Sequence, residues 1–249
     1  MKINILKNPV ELGKAAGTAA AQLICNAIEK NGAANIILAT GTSQFQTLNH
    51  LINERDIQWS KVTMFHLDEY IGLSISHPAS FRKYLQERFL EKVPALKAVH
   101  LINGETNATE ECKRIGDLIT NLPIDVALVG IGENGHLAFN DPPADFETGA
   151  PYIIVNLDEP CRKQQLGEGW FSSLDEVPTQ AISMSVKQIL KAKHIICSVP
   201  DSRKAVAVKN TLEQTVSNLY PASILQQHAN CTLFLDESSS ALLSKNIAL

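Results

Sequence analysis

The sequence predicts an α/β fold built on a mainly parallel sheet, and three observations lead to this prediction. Short runs rich in Val and Ile recur along the chain. They alternate with longer segments whose apolar residues repeat every three or four positions, a pattern typical of βαβ units. The chain of 249 residues is 45% apolar and 19% charged, so it can bury a sizeable core. No internal repeat or domain boundary is visible, and we expect one domain over residues 1–249.

The order of the elements follows from these runs. The β-branched runs predict six strands, at 35–40, 62–67, 99–102, 125–131, 194–199 and 231–236. The helical periodicity predicts seven helices, at 10–30, 44–54, 78–90, 107–120, 185–191, 202–215 and 237–244. On the first helix we expect one face to pack in the core, formed by Ala15, Ala19, Leu23, Ala27 and Ile28.

Residues 141–180 interrupt the alternation of strands and helices. This segment carries five prolines, several glycines and only one short strand candidate. It predicts a long excursion over the surface. A lid or binding loop and a structureless connection are both open readings of such a segment.

Charge and cysteine content limit the partners and the compartment. The formal net charge of -4 and the pI of about 6.0 give no bulk attraction to nucleic acid or to an anionic membrane. We therefore expect a small-molecule partner held by a local site. The five cysteines are scattered and form no C-x-x-C pair, which suits buried thiols in a reducing cytosol. The sequence shows neither a signal peptide nor a run of about 18 apolar residues, so we predict a cytoplasmic protein.

A glycine-rich stretch, "VGIGENGHLAFNDPP", follows the fourth predicted strand. Its spacing G-x-G-x-x-G is that of a dinucleotide-binding turn, which must lead into a helix. Here Pro142 and Pro143 follow closely, and tandem prolines disfavour a helix and remove N–H donors. We therefore interpret the stretch as a ligand-binding loop at the carboxyl end of a parallel strand.

This loop presents Asn134, His136 and Asp141 within eight residues. An imidazole beside a carboxylate and an amide can carry protons, because the partner of one ring nitrogen fixes the tautomer at the other. The alternative is a structural hydrogen-bonded pair of His and Asp.

Two more polar clusters follow predicted strands. In "LATGTSQFQTL", Gly41, Thr42 and Ser43 precede a helix, where free N–H groups and hydroxyls could cradle a phosphate; a plain helix cap is the alternative. In "FHLDEYIGL", Asp68 and Glu69 follow a buried strand, where an acid must be paired or used. One of them could be a general base, or one could cap the next segment while the other faces water.

Four motifs together resemble one family. In this order, "ATGTS", "HLDEYIGL…HPASF", "GIGENGHLAFNDPP" and "PDSRKA" are similar to the glucosamine-6-phosphate isomerase/deaminase family, over residues 35–237. The related 6-phosphogluconolactonases share the glycine loop but usually continue with Thr-Ala-Ser-Leu-Phe after its His, where this chain has 137–141 as "LAFND". The resemblance implies a modified Rossmann-like three-layer sandwich with a lid, which we place around 145–180. It implies no metal and no organic cofactor.

The resemblance also implies roles for single residues. The phosphate of an amino-sugar phosphate would lie at Gly41, Thr42 and Ser43, with Lys204 adding positive charge. His136 would open the sugar ring and Asp68 would move the proton from C2 to C1, which releases ammonia. Asp141, assisted by Asn134, would orient His136.

The chain departs from the usual family pattern at three places. Asn134 stands where many members have Asp, and Asp141 stands where they usually have Glu. The phosphate-binding Arg of the family lid has no clear match, since Glu168, Gly169 and Trp170 lie about there; Arg162 or Lys163 are the substitutes to consider. The substrate therefore stays open between glucosamine 6-phosphate and galactosamine 6-phosphate. A lactonase-type hydrolase and a non-catalytic sugar-phosphate sensor are alternatives, and a homo-oligomer is compatible with the sequence.

Overall fold

The computed structural model describes residues 1–244 and contains two sheets. The strands, in chain order, are β1 (Lys2–Leu6), β2 (Ala34–Leu38), β3 (Val62–His66), β4 (Asp68–Tyr70), β5 (Ala98–His100), β6 (Val126–Val129), β7 (Tyr152–Asn156), β8 (Gln180–Met184), β9 (His194–Val199) and β10 (Cys231–Asp236). Seven of them form a sheet in the order β1-β10-β9-β6-β2-β3-β5, in which every pairing is parallel. The other three form a small antiparallel sheet in the order β4-β8-β7.

Helices cover both faces of the large sheet. They are α1 (Pro9–Asn31), α2 (Phe45–Leu51), α3 (Phe81–Leu85, continued by a π-helical turn at Gln86–Leu90), α4 (Ala108–Thr120), α5 (Glu159–Gly167), α6 (Val186–Leu190) and α7 (Ala205–Glu213). Along β2, Ile36 and Leu38 pack against α1 to α3 on one face, whereas Ile37 packs against α4, α6 and α7 on the other. The predicted α/β sandwich of three layers is therefore confirmed.

The buried face of α1 differs from the predicted one. Its fully buried positions are Leu12, Gly13, Ala16, Gly17, Ala20, Ala21, Ile24 and Ile28. Of the predicted residues only Ile28 is buried, because Gly13 and Gly17 lack a Cβ atom and let α2 approach this side of α1 closely. The alanine and leucine stripe that we predicted lies at the margin of the interface, where it is half-buried.

The predicted helix at 237–244 is replaced by turns. The side chain of Asp236 accepts hydrogen bonds from Ser238 and Ser239, and the hydroxyls of Ser239 and Ser240 bond back to the Asp236 carbonyl. Side chains that satisfy the backbone locally compete with helix formation, which explains the turns.

Residues 141–180 are an excursion, as predicted, but they contain regular structure. The strand candidate in this segment is confirmed as β7, and it is followed by α5 and a 3₁₀ turn at Leu174–Glu176. A structureless connection is therefore the wrong reading of this segment. In the part of the chain that the structure describes, no helix is long and apolar enough to cross a membrane.

The connectivity of the large sheet places the polar loops together. From β2 the chain proceeds outward to β3 and β5, whereas from β6 it proceeds outward in the other direction to β9 and β10. Between β2 and β6 the order reverses, and ligands of open parallel sheets bind at the carboxyl ends of strands beside such a point. The loops after β2, β6 and β9 all begin at the carboxyl-end edge of the sheet, beside this point.

Candidate active site

A cleft opens at this edge of the sheet and collects the residues that the sequence singled out. Its wall is formed by Ala39, Thr40, Gly41, Thr42, Ser43, Leu67, Asp68, Phe81, Gly130, Ile131, Gly132, His136, Ala138, Phe139, Gln164, Gln165, Glu168 and Lys204. Six of the eight predicted site residues are in this wall. The other two, Asn134 and Asp141, lie directly behind it, where they contact His136.

Asp68 is the acid of the cleft. Side chains of a strand alternate between its two sides, so β4 directs Asp68 into the cleft and its neighbour Glu69 away from it. The Asp68 residue is only 6% exposed, and its carboxylate takes part in none of the hydrogen bonds among residues 1–244. Burial, with the added charge of Glu69, raises the pKa of Asp68 from 3.8 to about 8.

Glu69 is a structural acid. It accepts hydrogen bonds from the Ser80 hydroxyl and from the backbone N–H groups of Phe81 and Arg82 at the start of α3, and its carboxylate pairs with the Arg82 guanidinium at 3.2 Å. The prediction that one of the two acids caps the next segment is therefore confirmed for Glu69, whereas the water-facing alternative for the other is wrong. Asp68 faces the cleft.

His136 is held by its neighbours in the glycine loop. Its Nδ1 lies 2.9 Å from Oδ1 of Asp141, and its backbone N–H donates to the side-chain oxygen of Asn134. The Asn134 amide also donates to Asp141 at 2.9 Å. Burial raises the pKa of Asp141, but the hydrogen bond and charge of His136 and the amide of Asn134 outweigh burial and hold this pKa below its ordinary value. An ionised Asp141 fixes Nδ1 as the protonated nitrogen and leaves Nε2 to face the cleft.

Gly132 leaves the space that the imidazole occupies. A Cβ atom at position 132 would lie 2.3 Å from Nε2 of His136, far inside contact distance. We expect Gly132→Ala to displace the ring and to lower kcat/KM about 100-fold in the assay proposed below, because a shift of about 1 Å in a catalytic group costs that much. Steady-state kinetics check this, with Gly149→Ala as the control, since nothing lies within 4 Å of a Cβ there. Equal activities of the two variants would contradict the assignment of Nε2 to the cleft.

The loop after β2 and Lys204 form the opposite end of the cleft. Gly41 has φ +88°, which turns the backbone into a 3₁₀ turn at Thr42–Gln44 before α2 begins. Gln44, which the sequence reasoning missed, fixes this loop because its amide donates to the carbonyl oxygens of Val129 and Ser198 at the ends of β6 and β9.

Lys204 is 6% exposed, and no carboxylate of residues 1–244 lies within 4.0 Å of its Nζ. Burial lowers its pKa, and the charges of Glu133 and Glu168 oppose this shift. A buried cation without a direct partner beside free N–H groups and hydroxyls is suited to an anion.

One face of α5 lines the cleft, within the segment where the resemblance implies a lid, but its residues are not among the eight predicted for the site. Gln164 accepts from the Glu133 N–H at 2.8 Å, and Gln165 accepts from the Tyr70 hydroxyl at 2.7 Å. Glu168 lies over Gly41, and Cys161 lies beside His136 and Asp141. These four residues recur at helical spacing, and that spacing of polar residues in "CRKQQLGE" is the signal that could have found them.

Neither cation that we considered as a substitute for the lid Arg reaches the cleft. The Arg162 guanidinium donates to the carbonyl oxygens of Leu174 and Val177, which fixes the segment after α5. Lys163 is exposed and pairs with Glu159 on the outer face of the helix. The expectation that one of them replaces that Arg is wrong.

Beside the glycine loop, three side chains of kinds that can bind metals lie close together; among the described residues this is the one such group. Donor atoms of His136, Asp141 and Cys161 lie within 4.8 Å of one another. Nδ1 of His136 and Oδ1 of Asp141 already lie within hydrogen-bonding distance of each other, so the geometry is that of a hydrogen-bonded pair and not of a metal site.

Known proteins resemble this chain over nearly its whole length. Residues 7–234 match the family model of glucosamine-6-phosphate isomerases/6-phosphogluconolactonase. A glucosamine-6-phosphate deaminase of Lactobacillus delbrueckii subsp. bulgaricus is 34% identical over 98% of this chain and 100% of its own length, and the enzyme of the same name from Oenococcus oeni is 36% identical over the same shares.

Solved structures give the same result. The structure of a monomeric glucosamine-6-phosphate deaminase superposes with a TM-score of 0.89 at 31% identity, over 97% of this chain and 100% of that one. A putative 6-phosphogluconolactonase from Neisseria gonorrhoeae has a TM-score of 0.75 at 20% identity over 95% of this chain and 100% of that one, which shows a shared fold. This chain therefore belongs to the family of glucosamine-6-phosphate isomerases and 6-phosphogluconolactonases.

Proposed function

We propose that the protein is an amino-sugar-phosphate deaminase and isomerase that converts glucosamine 6-phosphate to fructose 6-phosphate and ammonia. The observation that carries this proposal is the free carboxylate of Asp68, which lies in one cleft with an imidazole held by an ionised Asp141. The names of the relatives, glucosamine-6-phosphate deaminase, support the same reaction.

The phosphate binds at the end formed by Gly41, Thr42, Ser43 and Lys204. The N–H groups and hydroxyls of the loop donate to phosphate oxygens, and the ammonium of Lys204 supplies the charge that they lack. This placement directs the sugar ring towards Asp68 and His136.

Ring opening is the first chemical step. Nε2 of His136 takes the proton of the anomeric hydroxyl and returns it to the ring oxygen, so the C1–O5 bond breaks and C1 becomes an aldehyde. Asp141 stabilises the imidazolium that forms between the two transfers, in the way that an Asp supports a catalytic His elsewhere.

Isomerisation and deamination follow. The Asp68 carboxylate removes the proton from C2, the electron pair forms a C1–C2 double bond, and the aldehyde oxygen takes a proton from solvent, which gives an enolamine. The same carboxyl group then returns the proton to C1, the nitrogen lone pair forms the C=N bond, and the nitrogen gives a proton to solvent, which leaves an imine at C2. Water adds to this imine and ammonia leaves, so the products are fructose 6-phosphate and ammonia. One carboxyl group serves both transfers because the two carbons are neighbours.

Lactone hydrolysis does not require a second base such as Asp68 beside His136. Hydrolysis of a sugar lactone requires a base for water, which His136 could supply, but no second base for a C–H proton. The cost of burying Asp68 without a hydrogen-bond partner is therefore better explained by the isomerase chemistry.

The test is ammonia release from glucosamine 6-phosphate and galactosamine 6-phosphate in parallel, with hydrolysis of 6-phosphogluconolactone as the third assay. We expect release from glucosamine 6-phosphate, because the relatives are named for that sugar. Ammonia release from galactosamine 6-phosphate alone would show that this sugar, and not glucosamine 6-phosphate, is the substrate. Lactone hydrolysis without ammonia would overturn the proposal, and binding without turnover would identify a sensor.

The proposal has three further parts. One domain carries the site, and α5 with its flanks is the lid over it, since its inner face lines the cleft. The protein works in the cytoplasm, which suits its five free thiols. A homo-oligomer stays a prediction; the structurally similar deaminase is described as monomeric, and light scattering would decide for this chain.

A further inference from the structure

Glu168 places a negative charge at the end of the cleft where the phosphate would bind. The residue ends α5 and lines the same cleft as Thr42, Ser43 and Lys204. Its Oε2 lies 3.8 Å from the point that a Cβ on Gly41 would occupy. The carboxylate therefore lies opposite the anion cradle, near the position where the resemblance implies a phosphate-binding Arg.

The other acids near Lys204 already have cationic partners. Glu133 pairs with Arg203 at 3.3 Å, and Asp201 pairs with the same guanidinium at 3.0 Å. Glu168 has no salt bridge within residues 1–244, and its single side-chain hydrogen bond, from the Gln164 amide, is long at 3.4 Å. Of the carboxylates that act on Lys204, Glu168 is thus the one whose charge is free to balance it.

A bound phosphate would compete with this carboxylate. The phosphate of a sugar phosphate carries up to two negative charges, and like charges repel strongly in a cleft from which water is partly excluded. Both anions cannot share Lys204 at close range without a cost to binding. The helix ends here, and Gly169 follows with φ +85°, so the backbone after Glu168 already turns away from the helix.

We propose that Glu168 is an internal anion that sets the affinity of the site for phosphate. In the unliganded protein it balances Lys204, and it weakens the binding of every phosphate monoester until α5 moves it aside. This inference rests on the proposed function, because it requires the phosphate to bind at this end.

The experiment measures the binding of inorganic phosphate by isothermal titration calorimetry, so that no turnover is needed. We expect Glu168→Gln to bind phosphate about tenfold more tightly than the unmodified protein, and its KM for glucosamine 6-phosphate to fall by a similar factor while kcat does not rise. The matched control is Glu159→Gln, which removes the same charge from the outer face of α5, where the Glu159 side chain is 63% exposed. Lys204→Gln should weaken phosphate binding both in the unmodified protein and in the Glu168→Gln variant.

Each outcome decides the matter. Equal affinities of Glu168→Gln and Glu159→Gln would overturn the inference but leave the proposed function intact. Weaker binding by Glu168→Gln would show a favourable contact and would also overturn it. If phosphate binds to none of the proteins, the cradle itself is wrong, and both proposals lose their phosphate site. Glu168→Ala repeats the measurement should the Gln variant fail to fold.

Discussion

Asp68→Asn is expected to abolish ammonia release and, at alkaline pH, to stabilise the protein. The amide cannot take the proton from C2, and losing a positioned general base costs about 10²–10⁴-fold in rate. The measurement is ammonia release at saturating glucosamine 6-phosphate. A variant that retains more than about a tenth of the activity would show that another group removes the C2 proton.

The stability gain follows from the same carboxyl group. The folded protein keeps the Asp68 proton up to a pKa of about 8, whereas the unfolded chain loses it near 3.8. Between these values the folded state binds more protons, so the contribution of Asp68 to the free energy of unfolding falls as pH rises, by about 1.4 kcal/mol per pH unit. Asn avoids this loss, although the buried amide lacks a partner. Because the cost of the buried amide does not depend on pH, we expect the stability of the variant relative to the unmodified protein to rise by about 5 kcal/mol between pH 4 and pH 8.

Urea unfolding at the two pH values checks this, and the neighbouring acid provides the control. Glu69→Gln removes one of the two acceptor oxygens that Ser80, Phe81 and Arg82 use at the start of α3, so it should destabilise the protein at both pH values. If Asp68→Asn changed stability equally at pH 4 and pH 8, Asp68 would have an ordinary pKa in the folded state.

The pH dependence of the enzyme has the same origin. A base with a raised pKa is active only above that pKa, so kcat/KM should rise with pH and level off above about 8. A profile that is already flat at pH 6 would contradict an unpartnered, buried Asp68 in the free enzyme.

The motifs and the family resemblance predicted the site loops and eight residues in them, but not the residues that α5 adds. All six predicted strands formed, because short apolar runs rich in β-branched residues are strong signals in a parallel sheet. The antiparallel sheet was not predicted as such, since β4 has only three residues and β7 and β8 pair across a long excursion. Without that sheet, strand periodicity does not distinguish Asp68 from Glu69, and the prediction of Asp68 rests on the family resemblance alone. Because side chains alternate along β4, Asp68 points into the cleft and Glu69 points to the start of α3, which it caps.

The segment 141–180 shows the same limit. Its proline-rich composition predicts an excursion, and the cations that its sequence offers in place of the family Arg are Arg162 and Lys163. Helix geometry decides against both, because the face of α5 that meets the cleft carries amides, a thiol and a carboxylate. The orientation of a short helix depends on the contacts at its two ends, which single-sequence patterns do not report.

His136→Gln is the second change with a large expected effect, and it separates ring opening from isomerisation. Gln fills a similar space but cannot carry a proton, so turnover of glucosamine 6-phosphate should fall by about 10²–10⁴-fold. The hydrogens at C1 of fructose 6-phosphate provide the second assay. In D₂O with ammonium present, the enzyme should exchange one of them through Asp68, and the open-chain form of this ketose can reach that carboxylate without help from His136.

The two variants should therefore differ in how far turnover and hydrogen exchange fall relative to each other. Asp68→Asn loses both turnover and exchange, because both require the same carboxylate. For His136→Gln we expect exchange to fall less than about tenfold while turnover falls far more, since the shuttle between the anomeric hydroxyl and the ring oxygen is only needed to open the pyranose. If exchange falls as far as turnover, His136 takes part in the proton transfer at carbon as well. The 2.9 Å contact with Asp141 would then support the enolamine step rather than ring opening alone.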